Sequence, residues 1–169
     1  MDEIKVMDQA VKALTNREGK YLTFGLAGEE YGIVILKVKE IIGIMPITRV
    51  PQTPEYLKGI INLRGKVIPV VDLRLKFGMA STDYTERTCI IVVESSEESR
   101  KVPMGIVVDA VSEVMNIKGA DIEDAPEFGS RLNTECILGM AKTGGKVRIL
   151  LDIDKVLGAE GMTLMDRVA

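Results

Sequence analysis

A chain that carries one pattern twice is constrained to fold as two like units, and this sequence does carry one. Gly32-Ile33-Val34, followed by Val38, Glu40, Ile41 and Ile44, returns as Gly105-Ile106-Val107, followed by Val111, Glu113, Val114 and Ile117, always 73 residues later. Gly59, Gly65-Lys66-Val67 and Asp72-Leu73 return as Gly139, Gly145-Lys146-Val147 and Asp152-Ile153, always 80 residues later. Pro54-Glu55-Tyr56 is echoed by Pro126-Glu127-Phe128 in between. An insertion after Phe128 accounts for the change of offset, and Gly129 to Glu135 reads as a loop.

Each copy reads as short strands. Leu22, Phe24 and Leu26 alternate with Tyr21, Thr23 and Gly25, which predicts a half-buried strand, and Ala27-Gly28-Glu29-Glu30 supplies a turn after it. Ile44 to Val50 contains Pro46 and ends at Pro51, which suits an edge strand because proline cannot donate to a central ladder. Gly59 to Leu63 and Lys66 to Val71 flank Arg64-Gly65, and Lys146 to Leu151 follows Thr143-Gly144-Gly145, so both copies contain an equivalent hairpin. About five strands per copy favour two small closed β-barrels sharing a core, since closure removes exposed edges.

The expected fold is therefore mainly β, with short helical segments. Residues 20–158 form the duplicated unit, divided at about 20–84 and 88–158, with exchange of strands between the barrels left open. Residues 1–19 form an N-terminal tail or helix, because Ile4, Met7, Val11 and Leu14 recur at helical spacing in a segment too short to stand alone. Ile153, Val156 and Leu157, then Met162, Leu164 and Met165, predict C-terminal helical turns, with 159–169 as a helical tail. Ser95 to Lys101 reads as a surface loop between the copies.

The side chains that are missing narrow the chemistry. There is no histidine, which removes the usual general base near neutral pH and the commonest transition-metal ligand. No phosphate-binding glycine loop and no nucleophile elbow is present. The adjacent acids Glu29-Glu30 and Glu97-Glu98 read as solvated loop residues. Cys89 and Cys136 lie in apolar surroundings without CxxC spacing and read as small buried hydrophobes. The expectation is a non-enzyme without cofactor or metal. A net charge of −3 gives no electrostatic reason to bind a polyanion. A small barrel for single-stranded nucleic acid is the alternative, but it needs aromatic platforms, and the chain has no Trp and only four Tyr and three Phe. With an acidic start and no apolar run of membrane-spanning length, the expected location is the cytoplasm, with no direct membrane contact.

The stretch from Lys20 to Phe77 closely resembles the chemotaxis coupling family CheW, whose fold also forms the regulatory domain of the CheA kinase. The resemblance rests on Glu30-Tyr31-Gly32-Ile33, Ile35-Leu36-Lys37-Val38 with Glu40-Ile41, Thr53-Pro54, Lys58-Gly59, Asn62-Leu63-Arg64-Gly65 and Ile68-Pro69-Val70-Val71-Asp72-Leu73-Arg74. Gly105-Ile106-Val107-Val108-Asp109 with Val111-Ser112, and Ala125-Pro126-Glu127-Phe128, extend it through Asp152. It implies two intertwined SH3-like five-stranded barrels. It also implies an adaptor that couples the cytoplasmic tip of methyl-accepting chemoreceptors to the regulatory domain of a CheA-type histidine kinase, recruited to receptor arrays through those partners. Matching positions imply receptor contacts at Val38, Glu40, Gly59, Arg64 and Val114. Kinase contacts are expected from apolar patches near Ile33, Ile35 and Phe128, one patch from each copy. Glu40 and Arg64 are further expected to form an ion pair at the rim of the first barrel.

Overall fold

The computed structural model describes residues 17–94, 103–126 and 134–158. Eleven strands account for most of them: β1 (Gly19–Leu26), β2 (Glu29–Val34), β3 (Val38–Gly43), β4 (Leu57–Leu63), β5 (Lys66–Asp72), β6 (Cys89–Glu94), β7 (Pro103–Val108), β8 (Ala110–Ile117), β9 (Ile122–Glu123), β10 (Ile137–Thr143) and β11 (Lys146–Leu151). Two one-turn helices, α1 (Leu73–Lys76) and α2 (Ile153–Leu157), follow β5 and β11. The helices begin alike: Asp72 accepts a hydrogen bond from the Leu75 amide at 3.4 Å, and Asp152 accepts one from the Lys155 amide at 3.3 Å. A side-chain oxygen at the N-cap satisfies an amide that has no partner within the helix.

The strands sort into two sheets, and the copies are exchanged between them. Sheet A runs β8-β1-β2-β11-β10-β9, and sheet B runs β3-β6-β7-β5-β4. The first copy thus gives β1 and β2 to sheet A and β3, β4 and β5 to sheet B. The second copy gives β6 and β7 to sheet B and β8 to β11 to sheet A. A boundary between 84 and 88 separates the copies but not the barrels. Parallel pairing of β11 with β2 joins Leu150 to Gly32, and parallel pairing of β5 with β7 joins Val70 to Gly105. These four residues occupy equivalent positions in the two copies. A Cβ on Gly32 would stand 2.9 Å from the Leu150 side chain, and one on Gly105 would stand 2.8 Å from Ile90, so glycine permits both close approaches.

Three apolar cores follow. Ile61, Ile68, Val70, Ile90, Val92 and Val107 fill the barrel of sheet B, while Tyr21, Ile117, Ile122, Ala141 and Leu150 fill that of sheet A. The largest core lies between the barrels, where Leu22, Phe24, Tyr31 and Ile33 of sheet A meet Leu57, Val71, Ile91 and Ile106 of sheet B and Ile153, Val156 and Leu157 of α2. Each fully buried Ile or Leu contributes roughly 1.5–3 kcal/mol. The shared core corrects one expectation: β1 is buried on both faces over Tyr21 to Phe24, because Leu22 and Phe24 face the other barrel while Tyr21 faces its own.

The paired hairpins appear as expected. Arg64 and Gly65, with φ of 52° and 86°, form the turn between β4 and β5, and Gly144 and Gly145, with φ of 57° and 76°, form the turn between β10 and β11. Ile44 to Val50 departs from expectation. It is an irregular crossing segment joined to β4 only where Thr48 and Ile60 exchange two backbone hydrogen bonds of 2.8 Å. Pro46 within it and Pro51 just after it each lack the amide donor that a ladder needs. The spacing at Ile4 to Leu14, the Ser95–Lys101 loop, Phe128 and the tail from Met162 lie outside the described residues.

Candidate partner-binding surface

Glu40 and Arg64 come together. β3 and the β4–β5 turn stand at opposite ends of the strand order of sheet B, so contact between them closes the barrel. Arg64 Nη2 donates to Glu40 Oε2, with the guanidinium mostly solvated and the carboxylate 30% exposed. Around this pair, Lys39, Leu63, Lys66, Ile68, Val92 and Pro103 line a shallow pocket of about 170 Å³. Lys39 is held by Glu94 at 2.6 Å. Arg64 adopts its left-handed conformation because the turn demands it, and the Gly65 amide donates to Asn62 Oδ1 at 3.0 Å to complete the turn.

Val38 precedes Glu40 on β3 and is half-buried against the inter-barrel core. A register shift between these two residues, opposite Val93 and Val92, swings Glu40 toward the rim. Gly59 is buried, and a Cβ at that position would lie 2.0 Å from the Thr48 carbonyl oxygen at a φ of +142°. It admits the crossing segment and has no side chain to offer a partner. Val114 stands apart on sheet A, half exposed on β8.

The apolar positions expected to meet a kinase divide three ways. Ile33 is fully buried in the inter-barrel core, which corrects its assignment: on β2 its side chain points inward between the sheets. Ile35 is partly buried against the same core. Phe128 lies outside the described residues. The turn Ile35–Lys37 instead projects Leu36, which is 91% exposed. Sequence reasoning missed this residue because no periodicity governs a three-residue connection.

Four of the other exposed apolar side chains are ordered by the duplication. Ile41 on β3 matches Val114 on β8, and Val67 on β5 matches Val147 on β11, and all four are at least 40% exposed. Each barrel therefore displays the same two apolar positions, one on an edge strand and one beside a hairpin turn. That repetition was legible in the spacing, whereas the exposure was not.

A protein-family model described as the CheW-like domain matches residues 20–161. A chemotaxis protein CheW from Klebsiella aerogenes is 44% identical over 150 residues, covering 89% of this chain and 88% of that protein. A protein of the same description from Bacillus subtilis is 33% identical over 141 residues, covering 83% and 88% of the two chains. The crystal structure of the scaffolding protein TtCheW from Thermoanaerobacter tengcongensis superposes with a TM-score of 0.75 at 38% identity, covering 85% of this chain and 95% of that one. With its duplicated, strand-exchanged barrels and a family match that spans them both, the chain belongs to the CheW-like family.

Proposed function

We propose that the protein is a non-catalytic chemotaxis adaptor, coupling the cytoplasmic tips of chemoreceptors to the regulatory domain of a CheA-type histidine kinase. The observation that carries this reading is family membership across residues 20–161, both barrels included. Val38, Glu40, Arg64 and Val114 are assigned to the receptor. Glu40 and Arg64 form a charged rim, and Val114 supplies exposed apolar area. Gly59 acts on that surface indirectly, by seating the crossing segment against β4. The kinase is assigned to the connection after β2, where Ile35 and Leu36 present an apolar step, together with the segment carrying Phe128. The protein works in the cytoplasm and reaches the membrane through its partners.

A single-stranded nucleic-acid barrel needs several stacking faces, and among the described aromatic rings only Tyr84 is exposed, while Tyr56 and Phe77 are partly buried against the inter-barrel core. Tyr21, Phe24 and Tyr31 are all buried, and burial raises the pKa of both tyrosines, so none of the three offers a stacking face to a base. The deciding experiment is co-sedimentation of the purified protein with receptor signalling domains and a CheA-type kinase. Retention that depends on receptor, and kinase recruitment that depends on this protein, are expected. Failure to enter either pellet discards the adaptor reading.

A further inference from the structure

We propose that the charges on the two copies select the strand-exchanged topology over one in which each copy closes a barrel alone. A duplicated chain has both options, because the equivalent strands β2 and β7 each offer β5 an edge to lie along. The structure shows the exchanged arrangement, and each parallel junction carries an ion pair beside it. Where β5 meets β7, Arg74 of α1 donates from Nε and Nη2 to both oxygens of Asp109, at 2.7 and 2.6 Å. Where β11 meets β2, Lys37 donates to Asp154 of α2 at 2.6 Å. Arg74 and Asp154 are equivalent positions 80 residues apart, and Asp109 and Lys37 lie in the equivalent connections after β7 and β2.

The polarity of the two pairs is opposite, and this decides the matter. The first copy carries both cations, Lys37 and Arg74, and the second carries both anions, Asp109 and Asp154. Exchange gives two attractive pairs. Closure of each copy on itself would set Arg74 beside Lys37 and Asp109 beside Asp154, which is repulsive twice.

A third pair acts in the same direction. Arg148 on β11, 8% exposed, lies 2.5 Å from Glu30 on β2 and donates to Thr143 Oγ1 at 2.6 Å. Its counterparts in the other barrel are Ile68 and Pro103, which line one pocket together. Without exchange, a buried guanidinium would face proline and a carboxylate would face isoleucine, leaving charge desolvated and unpaired.

The test uses the full chain and a thiol reporter of topology. Gly43 on β3 is the register partner of Cys89 on β6, and a Cβ there meets open space. Gly43→Cys therefore places two thiols opposite each other only when the copies are exchanged. In a chain without exchange, position 43 would face Lys20, because the equivalent Asn116 does so on β1. Glu30→Val with Arg148→Ile first gives both junctions an apolar pair. In that background, Arg74→Asp with Asp109→Arg keeps the exchanged chain attractive but makes the alternative attractive too. Adding Lys37→Asp with Asp154→Lys makes the alternative repulsive again.

After unfolding and refolding with a short thiol cross-linker, peptide mapping reads the fraction joined from 43 to 89. We expect it to fall in the chain with one reversed pair, with more than one refolded species, and to recover in the chain with both pairs reversed despite its two additional substitutions. Equal cross-linked fractions in these two chains would overturn the proposal.

Discussion

Arg74 and Asp109, from different copies of the repeat, form a two-pronged ion pair, and the same carboxylate accepts a hydrogen bond from the Ala27 amide at 2.8 Å in the turn between β1 and β2. One side chain therefore ties α1, beside sheet B, to a turn of sheet A. The Arg74 guanidinium holds the Asp109 carboxyl below its ordinary value, against the opposing effect of burial, and Asp109 in turn raises Arg74. A carboxylate whose pKa is lower in the folded state stabilises the fold above its unfolded pKa, about 4. That contribution is lost as pH falls through the folded value.

Asp109→Asn is expected to lower stability at neutral pH by about 1 kcal/mol, a modest figure because both side chains are partly solvated. Thermal unfolding followed from about pH 7 to about pH 3 should show the gap to the parent protein closing below about pH 4. A gap that stays constant over this range contradicts the assignment of the lowered pKa to folding.

Gly59 yields a sharper expectation. A methyl group there meets the Thr48 carbonyl oxygen at 2.0 Å and the Arg49 Cα at 3.0 Å, both backbone atoms, at a φ of +142°. Backbone cannot step aside as a side-chain tip can, so Gly59→Ala should cost about 3 kcal/mol or more. Gly43→Ala, in open space on β3, should cost no more than about 0.5 kcal/mol. Denaturant unfolding of the two variants measures the contrast. Receptor binding should fail with the fold in the first variant and survive in the second.

The repeat shows why the fold was legible and where legibility ended. Equivalent spacings located the hairpins, because turns with glycine at positive φ are written in local sequence. They did not assign strands to barrels, since the repeated glycine and apolar positions are alike in both copies and the choice between Val70–Gly105 and Val70–Gly32 lies in long-range pairing. The Glu40–Arg64 contact was inferable because both residues lie in segments that resemble one family. Ile33 misled for a physical reason: a β2 residue packed between two barrels has the same composition signal as one on an apolar surface. Thr48 illustrates the opposite failure, in which an apolar run interrupted by Pro46 looks like an edge strand yet pairs at a single bridge.

Leu36 allows the kinase contact proposed after β2 to be tested apart from the core beneath it. Since its side chain is 91% exposed in a three-residue turn, Leu36→Asp should change stability by no more than about 0.5 kcal/mol. If the connection after β2 contacts the kinase, the same substitution removes apolar area and places a carboxylate in the interface, which should weaken binding about tenfold or more. Calorimetric titration against an isolated kinase regulatory domain reads the effect. Unchanged affinity would move the contact away from Ile35 and Leu36.

Arg64 performs two jobs that different substitutions can separate. Its backbone, at a φ of 52°, shapes the turn between β4 and β5, while its guanidinium reaches Glu40 across the barrel closure. Asparagine tolerates a left-handed backbone and lacks the cation, so Arg64→Asn should keep the hairpin and lose the ion pair, with stability changed by no more than about 1 kcal/mol. Receptor co-sedimentation should nevertheless fall, because Glu40 would then present an unpaired carboxylate at the rim. Arg64→Lys keeps the charge without the planar fork and should weaken binding less than asparagine does. The decisive comparison is the exchange Glu40→Arg with Arg64→Glu. If the pair acts by fixing the rim, the exchange should recover part of the binding that each single change removes. If the partner reads one of the charges directly, the exchange recovers nothing and Arg64 becomes a contact residue in its own right.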